Sequence, residues 1–310
     1  MEKIAKIMEK FGVPGKDLGE LPNSSLAFKD GAHYRIEIAG VERPSTFEAM
    51  LKAMKEFQVS VHRAICTVGG ATCLTFAELK EIAHLSKESK IEIIMVPAPT
   101  RSWDTGRQIA TAEGYVSGLR TRGSDNLRYV LDDIFRCIDA GIKGFLVVDE
   151  GLLWLLSEMR KSGDLPKEIV LKVSVFAGHG SPAGAILLEK LGANTFNPLA
   201  DLTLPMYASI RKAVRIPLDV YISLVDAMGG YNRSWEAAEL ARVASPCYFK
   251  IEPGGSEGSI YKPYVTEEFH KGLVREKVKM ARIVKELIEK VNPAIRCSDL
   301  GPSDLTLSGV

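Results

Sequence analysis

Cysteines are few in this sequence, and none lies in a pattern typical of a metal or redox site. The five are Cys66, Cys73, Cys137, Cys247 and Cys297. No two of them form a Cys-x-x-Cys pair, and an odd number does not suit a disulfide framework. The spacing of the first two fits no common zinc knuckle. We therefore expect reduced cysteines in a cytoplasmic protein.

Long apolar runs and an excess of one charge are also lacking. No run approaches the ~20 residues that a membrane span needs. The segment from Met1 to Phe11 alternates charged and apolar residues and has no signal-peptide core. Lys and Arg number 40 against 39 Asp and Glu, which argues against a broad nucleic-acid surface. We predict a soluble protein that binds neither a membrane nor an extended nucleic acid.

Several catalytic motifs are missing as well. The chain has no His-Glu-x-x-His, no Gly-x-Ser-x-Gly elbow, no Walker-type loop and no dinucleotide fingerprint after its first predicted strand. A metal site could be assembled from dispersed residues, but no local spacing supports one. Those residues are Glu37, His62, Asp149, His179, Asp219 and Glu252. The sequence leaves metal and cofactor use open.

What the sequence does contain is a set of seven short apolar runs, each with a charged or amide residue near its end. Buried parallel strands are almost continuously apolar because helices cover them. A charge within such a strand is costly unless it is paired or lies in a solvated site. Recurrence of this exception predicts a shared polar centre. The runs are 35–39, 61–65, 145–149, 170–174, 195–197, 217–221 and 248–252.

The order of these runs predicts a (β/α)8 TIM barrel, because eight apolar strands alternate with amphipathic helices. An open, doubly wound sheet is the structural alternative. We expect an N-terminal helix and short β-element over 1–33, the barrel over 34–291, a C-terminal helical extension and a tail over 292–310. Capping boxes are predicted at Ser45 with Glu48 and at Thr75 with Glu78. The predicted strands are 34–40, 59–66, 91–96, 145–149, 170–176, 194–197, 218–222 and 247–252.

In such a barrel the active site lies at the C-terminal mouth, where strand ends and the following loops meet. The polar residues near strand ends are therefore candidate site residues, and the alternative for each is an internal ion pair. Strand alternation leaves open whether His62 or Arg63 points inward. The candidates are Glu37, His62 or Arg63, Arg101, Asp149, Lys172, Ser174, Asn197, Asp219, Tyr221, Lys250 and Glu252.

We assign two sets of roles to these residues. Glu37, Asp149 and Asp219 would act as acid, base or ligand groups, while Arg63, Lys172 and Lys250 would bind or activate a small carboxylate or phosphate. Alternatively, Lys172 or Lys250 is the nucleophile of a Schiff-base lyase or aldolase, since a desolvated lysine can form an imine. A non-enzymatic ligand-binding or assembly protein is the third hypothesis.

Loops supply further candidates. Gly229 and Gly230 follow the seventh strand, and Gly254 and Gly255 follow the eighth, where barrels of this type commonly bind phosphate. His179 is a candidate acid or base because histidine titrates near neutral pH.

The connection over 100–123 contains Arg101, Trp103 and further arginines. It suits either an anionic or planar ligand or a subunit interface, so a homo-oligomer remains open.

The middle of the chain resembles unassigned-type peptidase family thirty-two, the collagenase-like peptidases. The matching features occur in order from Leu127 to Ile222. They are Ala140-Gly141-Ile142-Lys143-Gly144, Asp149 with Gly151-Leu152-Leu153, Gly180-Ser181-Pro182-Ala183-Gly184, Leu191-Gly192-Ala193, Asp201-Leu202-Thr203-Leu204 and Ile216-Pro217-Leu218-Asp219-Val220.

This resemblance implies a barrel scaffold with Asp149 and Asp219 at strand ends. The family also carries a His-Gly and closely following cysteines after the seventh strand. Here that place holds Ser223-Leu224-Val225-Asp226-Ala227-Met228-Gly229-Gly230. The resemblance therefore implies the scaffold and not a role carried by those residues. The sequence as a whole predicts a TIM-barrel enzyme, similar to these peptidases, that acts on a small anionic substrate.

Overall fold

Eight parallel strands close into a barrel in sequence order, with β1 paired to β8. The computed structural model describes residues 2–66, 73–97, 120–255 and 266–309. The predicted TIM barrel is thereby confirmed. The strands are β1 Tyr34–Ala39, β2 Arg63–Cys66, β3 Glu92–Met95, β4 Gly144–Val147, β5 Val170–Val173, β6 Thr195–Phe196, β7 Leu218–Ser223 and β8 Cys247–Ile251.

Helices cover the outside of this barrel, and one extra helix precedes it. They are α1 Glu2–Lys10, α2 Pro44–Phe57, α3 Phe76–Ser89, α4 Gly123–Asp139, α5 Glu150–Ser162, α6 Pro182–Lys190, α7 Leu204–Ala213, α8 Ala237–Ala244 and α9 Glu267–Val291. The longest, α9, follows β8 and buries one face against the barrel. None of the helices in the described ranges combines the length and apolar character that a membrane span requires.

The two faces of each strand divide the core into an outer and an inner part. Outward residues such as Ile36, Ile38 and Phe249 join the large apolar layer beneath the helices. Inward residues form a much smaller apolar cluster that includes Ala39, Ile65 and other side chains of the first five strands. Because so few inward positions are apolar, the rest of the barrel interior is filled by polar and charged side chains.

Helix starts follow local sequence signals, with one exception. The capping box of Thr75 and Glu78 forms as predicted. The predicted box of Ser45 and Glu48 is wrong, since α2 begins two residues earlier than that box requires. Arg43 is the N-cap without a side-chain bond and Pro44 opens the helix, where its fixed φ and missing N–H are tolerated.

The predicted N-terminal β-element is also wrong. Within the described part of the chain, residues 26–28 form no strand. The Phe28 N–H instead donates to the Ala32 carbonyl at 2.9 Å, and Gly31 closes the turn with positive φ. The Phe28 ring is buried edge-on against Tyr248, with the ring centroids 5.4 Å apart. Packing of this one aromatic side chain holds the segment without a strand partner.

The tail that follows α9 packs across the N-terminal end of the barrel. The Ser298 N–H donates to the Tyr34 carbonyl at the start of β1 over 3.1 Å. The Thr306 N–H donates to Glu92 at the start of β3 over 3.2 Å. The tail therefore closes the end of the barrel opposite the C-terminal mouth.

Candidate functional site

A buried ion network fills the barrel interior. Arg63 is its centre, with Nη1 3.2 Å from Glu37 Oε2 and 3.0 Å from Asp219 Oδ1, and with Nε 2.5 Å from Glu92 Oε2. Lys172 Nζ lies 2.6 Å from Asp219 Oδ2 and 3.1 Å from Glu37 Oε2. We call these five side chains the inner network. None of them is more than 3% exposed.

Neighbouring polar and aromatic groups complete this network. The Thr195 hydroxyl donates to Asp219 over 2.9 Å, and the Arg63 guanidinium lies 3.6 Å from the centre of the Tyr248 ring. Burial raises the pKa of Glu37, but the charges of Lys172 and Arg63 outweigh it and hold that pKa below its ordinary value. The Glu37 carboxylate therefore stays ionised although it is fully buried.

The inner network lies within the strands and not at their carboxyl ends. Glu37 is the fourth of six residues in β1, and Asp219 is the second of six in β7. We expected these charges at the mouth, so the structure corrects their position. Of the two β2 candidates that the sequence leaves open, His62 and Arg63, it is Arg63 that points inward.

His62 points the other way and belongs to the closed end of the barrel. The Ile36 N–H donates to His62 Nδ1 over 3.0 Å, so the proton resides on Nε2, which lies 3.0 Å from the Ser298 carbonyl. Nearby, Arg35 donates through Nε to the Ser298 hydroxyl over 2.9 Å and pairs with Asp304 at 2.5 Å. These contacts fasten the tail and leave His62 remote from the mouth.

A second polar group occupies the carboxyl ends of β7 and β8. Lys250 Nζ donates to the Tyr221 hydroxyl over 2.7 Å and lies 3.0 Å from Glu252 Oε2. Register pairs Tyr221 with Lys250 across the two strands. We call these three residues the mouth cluster. All three are buried, and Tyr221 lies two residues nearer the carboxyl end of β7 than Asp219 of the inner network does.

Lys277 reaches this region from α9. Its Nζ donates to the Ala39 carbonyl at the end of β1 over 2.8 Å. Burial lowers the pKa of Lys277 to about 8, against the opposing charges of Glu252 and Glu42. Two lysines and two glutamates thus share the mouth beside β1 and β8. Mixed charge at short range is the setting in which a lysine or carboxylate changes protonation state.

A third polar group lies at the rim between β4 and β5. His179 Nε2 is 2.6 Å from Glu150 Oε1, and Glu150 also receives the guanidinium of Arg120. Burial raises the pKa of Glu150, but hydrogen bonds from His179 and Arg120 hold it below its ordinary value. We call His179 and Glu150 the rim pair. Both are partly exposed, so the pair is accessible to a ligand.

Gly184 makes the position of His179 possible. A Cβ added to Gly184 would lie 2.6 Å from His179 Nδ1. The Ser181 hydroxyl meanwhile accepts the Gly184 N–H over 3.2 Å and caps α6. The small residues that open this helix therefore seat the imidazole against the helix start.

The remaining predicted site residues have varied positions. Asp149 follows β4 as the N-cap of α5, where it accepts the Leu152 N–H over 3.0 Å; it joins none of the three polar groups. The Ser174 hydroxyl likewise accepts the Phe176 N–H. The Asn197 amide donates to the Asp219 carbonyl over 2.6 Å, while its buried Oδ1 has no hydrogen-bond partner within the described ranges. Arg101 lies outside the described residues.

The glycine loops are held by their own backbone. Gly229 donates to the Asp226 carbonyl and Gly230 to the Val225 carbonyl, and both have positive φ. The carbonyls of Gly254 and Gly255 accept the N–H groups of Asp226 and Ala227. The two glycines after β7 therefore serve turn geometry, and their N–H groups are already engaged.

Sequence reasoning missed Glu92, Glu150 and Lys277. Glu92 could have been found, because it interrupts an apolar strand in the same way as Glu37 does. Glu150 also lies just after a strand, but its neighbour Asp149 was chosen from the sequence as the candidate. Lys277 carries no signal, since a lysine in a long amphipathic helix is usually solvated. No grouping of three or more His, Cys, Asp or Glu suited to a metal ion occurs in the part of the chain that the structure describes.

Three solved structures illustrate what this chain is similar to. The CutC protein of Streptococcus agalactiae, assigned to copper homeostasis, is 11% identical, covers 70% of this chain and 97% of its own, and gives a TM-score of 0.45. A U32 peptidase is 15% identical, with 74% and 96% coverage and a TM-score of 0.41. A 2,3-dimethylmalate lyase is 13% identical, with 89% and 87% coverage and a TM-score of 0.45.

The other two comparisons found no match. No protein-family model matches the chain, and no curated protein matches it. The fold is a TIM barrel whose interior holds an ion network and whose mouth presents Lys250, Tyr221 and Glu252.

Proposed function

We propose that this barrel is an enzyme that acts on a small carboxylate- or phosphate-bearing substrate at its C-terminal mouth. The observation that carries the proposal is Lys250, which lies between Tyr221 and Glu252 at 2.7 and 3.0 Å. A cation, a phenol and a carboxylate in contact combine anion binding with proton transfer. Active sites of this fold lie at the same end of the barrel.

The structure favours Lys250 over Lys172 as the group that meets the substrate. Lys172 is fully enclosed, and its ammonium is held between two carboxylates of the inner network. If Lys172 left these partners to meet a substrate, the buried carboxylates of Glu37 and Asp219 would lose part of the positive charge that compensates them. Lys250 contacts Glu252 and Tyr221 near the carboxyl end of β8, where the mouth of the barrel lies. We therefore propose that the inner network has a structural role and that Lys250 is the lysine that contacts the substrate.

The same geometry supports a lyase or aldolase in which Lys250 forms an imine. The neutral amine attacks the carbonyl carbon of the substrate and gives a carbinolamine. That intermediate expels its oxygen as water, with Glu252 or Tyr221 moving the protons. Lys277 and Lys172 both interact electrostatically with Lys250, so the lysine lies in a setting of mixed charge together with Glu252.

Borohydride reduction in the presence of pyruvate tests the imine. We expect the full chain to gain the mass of one reduced pyruvyl adduct, measured by intact mass spectrometry. Lys250→Met should lower labelling at least tenfold, because the attacking amine is removed. Lys161→Met, which removes an exposed lysine on α5, is the matched control and should label as the parent does.

Two results would contradict the imine. Labelling that persists in Lys250→Met would place the reactive amine elsewhere. No labelling with pyruvate or glyoxylate, together with pyruvate-induced stabilisation that Lys250→Met abolishes, would leave Lys250 as an anion-binding group only. That second pattern is the one a non-enzymatic binding protein would give if no turnover accompanies it.

The rim pair favours a second candidate, a hydrolase. A carboxylate 2.6 Å from an imidazole nitrogen fixes the orientation of the ring. His179 could then act as a general base for water. This candidate agrees with the resemblance to peptidase family thirty-two, although the chain lacks that family's residues after the seventh strand.

Hydrolysis of 4-nitrophenyl acetate separates the candidates. If the rim pair activates water, His179→Ala should lower kcat/KM at least tenfold. His84→Ala, at an exposed position on α3, should change it less than twofold. Equal rates in the parent and His179→Ala would exclude the rim pair as a hydrolytic base.

The proposal also includes a cellular location and a binding partner. None of the five cysteines forms a disulfide, which supports a reducing, cytoplasmic location. The partner we propose is the small anionic substrate itself.

A further inference from the structure

A cavity of about 550 Å³ lies between the segment that follows β6 and the segment that follows β7. Its size is typical of a small-molecule pocket. Apolar side chains form much of its lining, and a phenol and a guanidinium lie among them. The lining includes Leu21, Ala200, Leu202, Leu204, Tyr231 and Arg233.

The wall of this cavity packs against residues of the candidate site. Tyr231 packs against a cluster that contains Ala200 and Tyr221, the phenol of the mouth cluster. On the other side, the Leu199 N–H donates to the His179 carbonyl over 3.0 Å. The wall of the cavity therefore touches both the mouth cluster and the segment that carries the rim pair.

Tyr231 is a hydrogen-bonding group without an acceptor. Its hydroxyl oxygen is buried and has no hydrogen-bond partner among the residues that the structure describes. Buried hydroxyls in proteins are almost always hydrogen-bonded. Burial raises the pKa of Tyr231 to about 12, so the hydroxyl keeps its proton and remains a donor.

The wall opposite is built at a conformational cost. Leu21 has φ of 48°, a left-handed backbone that a branched, non-glycine residue rarely adopts. Arg242 Nη1 holds its carbonyl over 2.8 Å, and its N–H donates to the Leu18 carbonyl over 3.0 Å. Strain of this kind tends to occur at binding sites.

The charges around the cavity select against an anion. Arg233 is occupied, since Nε donates to Glu236 over 2.7 Å and Nη1 to the Leu202 carbonyl over 2.8 Å. Asp201 and Glu236 both line the cavity. A second carboxylate or phosphate would be repelled here, whereas a neutral acceptor would not.

We propose that this pocket binds an apolar group bearing a neutral carbonyl, such as an amide or ester, through a hydrogen bond from Tyr231. As a subsite for the substrate of the mouth, this inference rests on the proposed function. The substrate would then combine an anionic end at Lys250 with an amide- or ester-bearing apolar end in the pocket. Binding to the pocket itself can be tested without any turnover.

Titration of the full chain with N-methylbenzamide, followed by ligand-observed NMR, tests the pocket. We expect saturable binding that Tyr231→Phe weakens at least fivefold, because only the hydroxyl is removed. Thr203→Trp should abolish binding by filling the cavity from an exposed position. Met206→Trp, on the same helix, is the matched control and should bind within twofold of the parent.

Benzoate should displace the amide at least fivefold less well than unlabelled N-methylbenzamide does. Lys250→Met should bind the amide as the parent does, so failure at the mouth and failure of the pocket give different results. Equal affinity in the parent and Tyr231→Phe, or in the parent and Thr203→Trp, would overturn the inference. Absence of saturable binding would overturn it as well.

Discussion

Arg63→Met is expected to lower the free energy of unfolding by about 3–5 kcal/mol. The substitution removes the one guanidinium that contacts three buried carboxylates, those of Glu37, Glu92 and Asp219. Lys172 remains but contacts only two of them. Methionine fills a similar volume, so the loss arises from unpaired charge and not from a cavity. Urea denaturation followed by circular dichroism measures it.

A surface arginine provides the control for this experiment. Arg128 pairs with Asp125 at 3.3 Å, but its side chain is 64% exposed. Exposed pairs of this kind contribute about 0–1 kcal/mol, so Arg128→Met should change stability by no more than that. A loss below about 1 kcal/mol in Arg63→Met as well would show that the carboxylates become protonated or hydrated at little cost.

The second large effect is a loss of stability in mild acid that His62 causes. Burial lowers the pKa of His62 to about 4, from an ordinary value of 6.5. The geometry gives the same direction, because Nδ1 already accepts the Ile36 N–H and has no room for a proton. Between these two values the unfolded chain binds a proton that the folded chain does not. Stability therefore falls as pH is lowered from about 6.5 to 4, by about 3 kcal/mol from this residue.

His62→Gln isolates the contribution of His62 from that of the carboxylates. Glutamine offers an acceptor toward Ile36 and a donor toward Ser298, and it does not titrate in this range. The difference in unfolding free energy between the two proteins should shrink by about 3 kcal/mol from pH 7 to pH 4. A difference that does not depend on pH would mean that the folded protein accommodates the imidazolium.

The acid response of Glu37 is separate and lies lower on the pH scale. The pKa of Glu37 in the folded protein is below its ordinary value. Its contribution to the free energy of unfolding is therefore complete above the ordinary pKa and is lost as the pH falls through the lower pKa of the folded protein. The two windows are therefore distinguishable.

Much of the fold could be predicted from the sequence. Buried parallel strands and amphipathic helices have different periodicities, and these placed all eight strands within a few residues. Strand ends were predicted less well, as for β5, which ends at Val173 and not at Phe176. There the chain turns into a short 3-10 helix that Ser174 caps. The β-element at 26–28 failed because its stability depends on packing of Phe28 and not on local pattern.

The candidate site could be predicted in composition but not in arrangement. The charges in β1, β5, β7 and β8 were visible as interruptions of apolar runs. Whether they lie at the mouth or within the barrel depends on register, which sets Glu37 beside both Arg63 and Lys250. Register is a property of strand pairing over long sequence separations. The orphan hydroxyl of Tyr231 and the position of Lys277 arise only from tertiary packing.

The charges within the strands also have a consequence for the chain before it is folded. Segments such as 34–39, 170–173 and 218–223 are short, rich in β-branched and aromatic residues, and free of proline. Such segments tend to pair with copies of themselves when they are exposed. The charged residues within them, two in 34–39 and one in each of the others, disfavour that pairing. The residues that tie the native barrel together thus also guard its nascent strands against aggregation.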